Sequence, residues 1–222
     1  MCGVAAMVRL QDLLVILVPA GTTLFNRPGP RKMIIAMFLF VAGFFATFWI
    51  QMLVWYVLRG SPVSFPYTGY GFTYWFKPNW IQVLFSSNNG LVVWHPVMAL
   101  CLAGLLMWRK RVGYVAFVCF LAQLLVVASW WSWYFGHSFG HRAFLGLTPL
   151  FIVGLAWILT ALRGRMRILF CFFLLLLCIW NCVLALAYLS GLIPHDGEFS
   201  WQEMIKNLET IPDRVRDTLA KL

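Results

Sequence analysis

The sequence predicts an all-α fold: a polytopic transmembrane helix bundle of five full spans plus a partial N-terminal one over residues 1–190, then an amphipathic helical tail over 191–222. Three observations predict it. The chain is 62% hydrophobic and 11% charged, with a mean hydropathy of +0.83, which is more apolar surface than a water-soluble domain of this length can hide. Its apolar residues gather in runs of about 20, the length that crosses a hydrocarbon core about 30 Å thick. Its basic residues sit in short clusters between those runs, as they do in membrane proteins whose loops alternate sides.

The elements follow in chain order. Residues 1–8 are apolar but too short to cross, and residues 10–25 form a short run interrupted by Pro19. The run "MIIAMFLFVAGFFATFWIQMLVWYVL" (33–58) would reach about 39 Å as a helix, enough to span with tilt. Further spans are expected at 91–108, 114–133, 143–162 and 168–189. Between the first two full spans, "PYTGYGFTYWFKPNW" (66–80) is rich in the Trp and Tyr that favour the headgroup level. Residues 80–87 read as a short element dipping into the outer leaflet, and Asn88-Asn89-Gly90 as a turn into the next span. Met1 opens directly into "CGVAAMVRLQDLL", which is expected to be the end of a helix, and the chain the C-terminal part of something longer.

The net charge of +10 is topology rather than a nucleic-acid surface. Thirteen of the 17 Lys and Arg precede residue 196, against Asp12 alone; the other acids, Asp196, Glu198, Glu203, Glu209, Asp213 and Asp217, lie in the tail. The clusters Arg27/Arg31/Lys32, Arg109/Lys110/Arg111 and Arg163/Arg165/Arg167 are expected on the cytoplasmic side, and 59–90, 134–142 and the tail on the other. In the tail, Phe199, Trp201, Met204, Ile205 and Leu208 recur at helical spacing. Ser200 with Glu203 reads as a capping box, and Thr210 with Pro212 and Asp213 as the start of a second helix. Such helices lie on the membrane face or on their own protein. The six cysteines form no CxxC pair and read as small apolar filler.

Chemistry concentrates in "WWSWYFGHSFGHR" (130–142). Its rings, Trp133 among them, suit an interface belt, but a belt does not explain Gly136, Gly140 or Arg142. Glycines let backbone approach a partner closely, and a guanidinium at a helix start can clamp a phosphate with two parallel hydrogen bonds. His137 and His141, four apart, admit a shared metal, yet the glycines interrupt a regular helix and no carboxylate or third ligand lies nearby. Hydrogen-bonding histidines in an outer cleft, with no metal, is the expectation. Arg9 and Asp12 share a helical face and can pair, either as a structural ion pair or as part of a site. His95, before Pro96, reads as a satisfied polar group.

Absences narrow the function. The loops hold no paired carboxylates, no Ser-His-Asp spacing and no phosphate-cradling glycine loop. Polar residues inside spans are few, chiefly Gln51, Gln123 and Asn181, where an ion or proton pathway needs more.

Three ordered stretches carry a resemblance: "AAMVRLQDLLVILVP" (5–19), "VLFSSNNGLVVWHPVMALCLAGLLMW" (83–108) and "WWSWYFGHSFGHRAFLGLTPLFIVGLAWIL" (130–159). Together they resemble the later half of bacterial GT-C class membrane glycosyltransferases, the branch similar to protein mannosyltransferases and aminoarabinose transferases. The matching positions are Arg9 and Gln11; Leu84, Phe85, Ser86, Gly90, Leu91, Trp94 and Pro96; Trp130 and Trp133; and Phe139, Gly140, Arg142 and Pro149.

The resemblance implies transfer of a sugar from a polyprenyl-phosphate carrier on the extracytoplasmic face of a bacterial inner membrane. Partners would be membrane lipid and the polyprenyl-phosphate sugar, with no nucleic acid. It implies that Arg142 holds the phosphate, Arg9 assists beside Asp12, and Gly140, His141, His137 and Trp133 line the cleft. It also places the general base or metal-binding acid in an outer loop nearer the N-terminus than this sequence begins. The chain is therefore expected to lack turnover alone and to hold no cofactor, a divalent metal belonging to a longer relative. The alternative is a non-catalytic membrane protein that binds carrier lipid or a partner subunit.

Overall fold

A computed structural model describes residues 9–64, 70–136, 138–194 and 199–210. Among them every regular element is helical. A 3-10 segment, Leu10–Ile16, runs into α1 (Leu17–Asn26); α2 is Pro30–Arg59, α3 Trp80–Phe85, α4 Leu91–Trp94, α5 Val97–Met107 and α6 Arg111–Ser129. A second 3-10 segment, Arg142–Leu147, leads into α7 (Thr148–Ala161), followed by α8 (Gly164–Leu189) and α9 (Trp201–Glu209). Pro19 lies in the first turn of α1, where proline is tolerated.

Four of these helices are long and apolar enough to cross a membrane: α2, α6, α7 with its 3-10 lead (Arg142–Ala161), and α8. The protein is an all-α helical bundle whose four long apolar helices suggest that it is embedded in a membrane. The expected span at 91–108 is not one helix. Pro96 lacks an N–H and drives His95 out of helical geometry, to φ −131° and ψ 69°. The run therefore splits into α4 and the 11-residue α5, which at 1.5 Å per residue covers only about 16 Å.

The core is built on α6, which buries ten residues including Cys119, Phe120, Gln123, Leu124 and Val127. Phe144, Leu147 and Phe151 close over that face. Helices α5 and α7 meet backbone to backbone: a Cβ at Gly104 would overlap the Gly154 carbonyl, and one at Gly154 the Cys101 carbonyl. With no hydrophobic drive between helices in lipid, such close approach supplies the packing energy. By contrast α2 buries Phe48 alone and α8 only Leu184 and Ala187. Both helices are apolar all round, which suits a surface in contact with lipid.

The two ends of the bundle differ. Trp108 and Trp157 lie ring to ring at 6.0 Å, and Arg111 Nη1 donates to the Phe25 carbonyl at 2.9 Å. These contacts gather the clusters 27–32, 109–111 and 163–167 at one end. The described acids, Asp12, Glu203 and Glu209, lie at the other. There the tail docks. Ser200 Oγ accepts from the Glu203 N–H at 3.3 Å while Ser200 N donates to Glu203 Oε2 at 2.8 Å, the expected capping box of α9. Phe199 and Met204 pack with Trp94, Leu184, Ala187 and Ile193, so this helix lies on its own protein. The second tail helix falls outside the described residues.

Candidate functional site

The candidate site forms where backbone leaves regular helix. At the 3-10 segment Arg142–Leu147 the backbone departs from α-helical geometry, and its first two carbonyls accept from side chains of distant elements. In hydrocarbon each unpaired group would cost several kcal/mol, so irregular backbone survives only where protein satisfies it. Distant side chains do so here. Arg9 Nη1 donates to the Arg142 carbonyl. Gln11 Nε2 and Gln123 Nε2 both donate to the Ala143 carbonyl, at 3.1 and 2.9 Å. Residues 9–12 are thus clamped onto a segment more than 130 positions away.

Two glycines allow the clamp to close. A Cβ at Gly146 would stand 2.5 Å from the Asp12 carboxylate, so Asp12 is buried against bare backbone. Gly140 has φ +66°, a left-handed conformation that favours glycine, and a Cβ there would overlap His95 Nε2. The expected Arg9–Asp12 ion pair does not form. Arg9 is the extended residue before the 3-10 turn, at φ −152° and ψ 128°, and its Nη1 bonds the Arg142 carbonyl instead, while its charge still acts on Asp12 from beyond contact.

The break at His95-Pro96 is secured in the same way from α8. Trp180 Nε1 donates to the Val93 carbonyl at 2.9 Å and Asn181 Nδ2 to the Trp94 carbonyl at 2.5 Å. The same Asn181 amide lies 2.8 Å from His95 Nδ1. Because the Trp94 carbonyl requires an N–H from that group, Nδ1 is the acceptor and His95 carries its proton on Nε2. Burial lowers the His95 pKa, which agrees with a neutral ring. Phe139 packs edge-on against both His95 and Trp94.

His141 is buried between Phe135, at 5.6 Å, and Phe144, at 5.0 Å. Neither ring nitrogen has a hydrogen-bond partner among the described residues. Desolvation pushes its pKa down to about 3, and His95 and Arg9 add to it. The ring is therefore neutral at ordinary pH and can meet a ligand only as a neutral hydrogen-bonding group.

Trp133 is half-buried beside Tyr134. Arg142 fixes its main chain in the clamp but holds its guanidinium exposed, with no partner among the described residues. His137 lies outside the described residues, and among those described no group of three potential metal ligands occurs.

The structure thus draws Arg9, Asp12, His141, Gly140 and the Arg142 backbone to one end of the bundle. Sequence reading did not place Gln123 or Asn181 in this cluster. Their signal was their isolation, since a lone amide inside an apolar span needs a partner. No family model matches the chain, and neither a curated protein nor a solved structure shows significant similarity to it.

Proposed function

We propose that this protein forms the carrier-lipid-binding part of a membrane glycosyltransferase that uses a polyprenyl-phosphate sugar on the extracytoplasmic face. One observation carries the reading. The three stretches that resemble such enzymes, residues 5–19, 83–108 and 130–159, converge at one end through Arg9, Gln11, His95 and Gly140. The convergence leaves the Arg142 guanidinium exposed and unpaired among the described residues, beside the cationic Arg9. Two guanidiniums next to a neutral, ring-lined floor suit a phosphate that must be held and, on transfer, stabilised as it gains charge.

A second reading, a carrier-lipid-binding protein without transfer, is favoured by a separate observation. Asp12, the one carboxylate that the described residues bring to the polar cluster, is buried against Gly146 and is ill placed to act on a sugar in the cleft.

The test is binding of polyprenyl phosphate to the purified chain in nanodiscs. An exposed charge-assisted contact worth about 1.5–3 kcal/mol corresponds to a loss of about ten- to a hundredfold in affinity for Arg142→Ala. Cys178→Ala, an exposed residue of α8, leaves affinity unchanged. Equal affinities for the two variants would remove Arg142 from the site. Sugar release from the loaded carrier separates transfer from binding alone.

A further inference from the structure

The opposite end of the bundle carries a feature that this reading does not use. Where α1 ends and α6 begins lies a cavity of about 850 Å³, lined by Gly21, Leu24, Phe25, Asn26, Arg27 and Arg111. Its floor is tight, because a Cβ at Gly21 would stand 2.7 Å from Val115 Cγ1. Arg111 is held in place by donating Nη1 to the Phe25 carbonyl at 2.9 Å, with its guanidinium 5.8 Å from the Phe25 ring. One of its five N–H donors is used in that bond and four remain. Arg27 closes α1 and is exposed, with no side-chain partner among the described residues.

Charge and polarity select the occupant. Arg31, Lys32, Arg109 and Lys110 flank the cavity in sequence, and no described acid lies at this end to neutralise them. A zwitterionic headgroup would gain little from such a field, whereas an anionic one gains from every cation. The same cavity is lined by Leu24 and Phe25, which are 67% and 50% exposed. A free phosphate has no use for that apolar wall; acyl chains do.

We infer that this cavity seats the headgroup of one anionic phospholipid, its phosphate between Arg27 and Arg111 and its chains along Leu24 and Phe25. By the positive-inside rule the lipid belongs to the cytoplasmic leaflet. The site is independent of carrier binding at the other end, so either can fail without the other.

Native mass spectrometry of the detergent-purified full chain tests it, with phosphatidylglycerol, phosphatidylcholine and inorganic phosphate as probes. The wild type retains phosphatidylglycerol in preference to phosphatidylcholine. Each arginine near an anionic headgroup contributes about fivefold in affinity, so Arg27→Gln weakens retention about fivefold and Arg27→Gln/Arg111→Gln about 25-fold. Arg163→Gln/Arg165→Gln, which removes equal charge from the same end, leaves retention intact, and excess inorganic phosphate does not displace the lipid.

Arg27 holds no other group among the described residues, so the single variant decides even if loss of Arg111 unfolds the chain. Wild-type retention by Arg27→Gln would overturn the proposal. So would equal loss in the Arg163/Arg165 variant, which would show a diffuse field, or displacement by phosphate, which would show a small-anion site.

Discussion

Replacing Gly104 by Ala is expected to separate α5 from α7. In the native packing the added Cβ would overlap the Gly154 carbonyl oxygen, lie 2.6 Å from its carbon and 3.1 Å from Ile158 Cγ1. Carbon atoms pack at about 3.5–4.0 Å, so the helices must move apart by about 1 Å, and a gap of that size forfeits about a quarter to a half of each contact's attraction. Leu105, Phe151 and Ile158, all buried on the facing surfaces, would feel it.

The expected cost is about 1–3 kcal/mol, the usual penalty for an extra methyl in a filled core. Gly154→Ala meets Cys101 across the same crossing and should cost a similar amount. Once one methyl has opened the gap, the second meets less resistance, so the double variant should cost clearly less than the sum. Gly43→Ala is the control. It lies within α2 with nothing inside 4 Å, so only the helix preference of Ala acts, a gain of up to about 1 kcal/mol. Unfolding followed by helical circular dichroism in mixed micelles of rising SDS fraction reads all four variants. Additive losses, or Gly43→Ala as damaging as Gly104→Ala, would refute a shared backbone contact.

The remaining predictions concern the clamp. His141 and His95 both have folded-state pKa values below the ordinary histidine range, with His141 at about 3. The unfolded chain therefore binds protons that the folded chain refuses; stability is full above about pH 6.5 and falls as pH drops toward 3. His141→Phe should flatten that slope, and an unchanged slope between pH 6.5 and 4 would clear His141 of the effect. Gly146→Ala forces a methyl to 2.5 Å from the Asp12 carboxylate and should cost about 1–3 kcal/mol. Adding Asp12→Ala should recover most of it; failure to recover would place the strain elsewhere. The Ala143 carbonyl has two amide donors, so Gln11→Leu or Gln123→Leu alone should cost under about 1 kcal/mol, because one bond remains. The double variant should lose more than the two together, and simple additivity in denaturant titrations would show that the donors do not back each other up.

Different parts of the molecule were legible in the sequence to different degrees, for physical reasons. Spans α2, α6 and α8 follow from hydropathy alone, because a bilayer imposes length and apolarity on any helix that crosses it. The Ser200–Glu203 capping box and the turn at Asn89, with φ +59°, are local chemistry and emerge from neighbouring residues. The division of 91–108 was marked by Pro96, yet a hydropathy run passes across one proline without registering it. Nothing local joins Arg9 to Arg142 or Asn181 to Trp94, since these pairings depend on which helices meet. Gly104 and Gly154 likewise carry no signal singly; their meaning lies in facing each other.

The scarcity of polar residues in the spans acquires a cause from these pairings. Gln123, Asn181 and Trp180 all end on main-chain carbonyls, as do Gln11 and Arg9. Those carbonyls belong to two places, the last turn of α4 before the His95-Pro96 break and the 3-10 segment Arg142–Leu147. A chain in lipid could avoid the whole set of donors by running straight helices through both places. This one keeps two interruptions at the same end and ties each with side chains from remote elements. At the second interruption the Arg142 guanidinium stays exposed while Gly140 is buried against the His95 ring. These polar residues are then fasteners, each holding a backbone carbonyl at a place where a helix is interrupted.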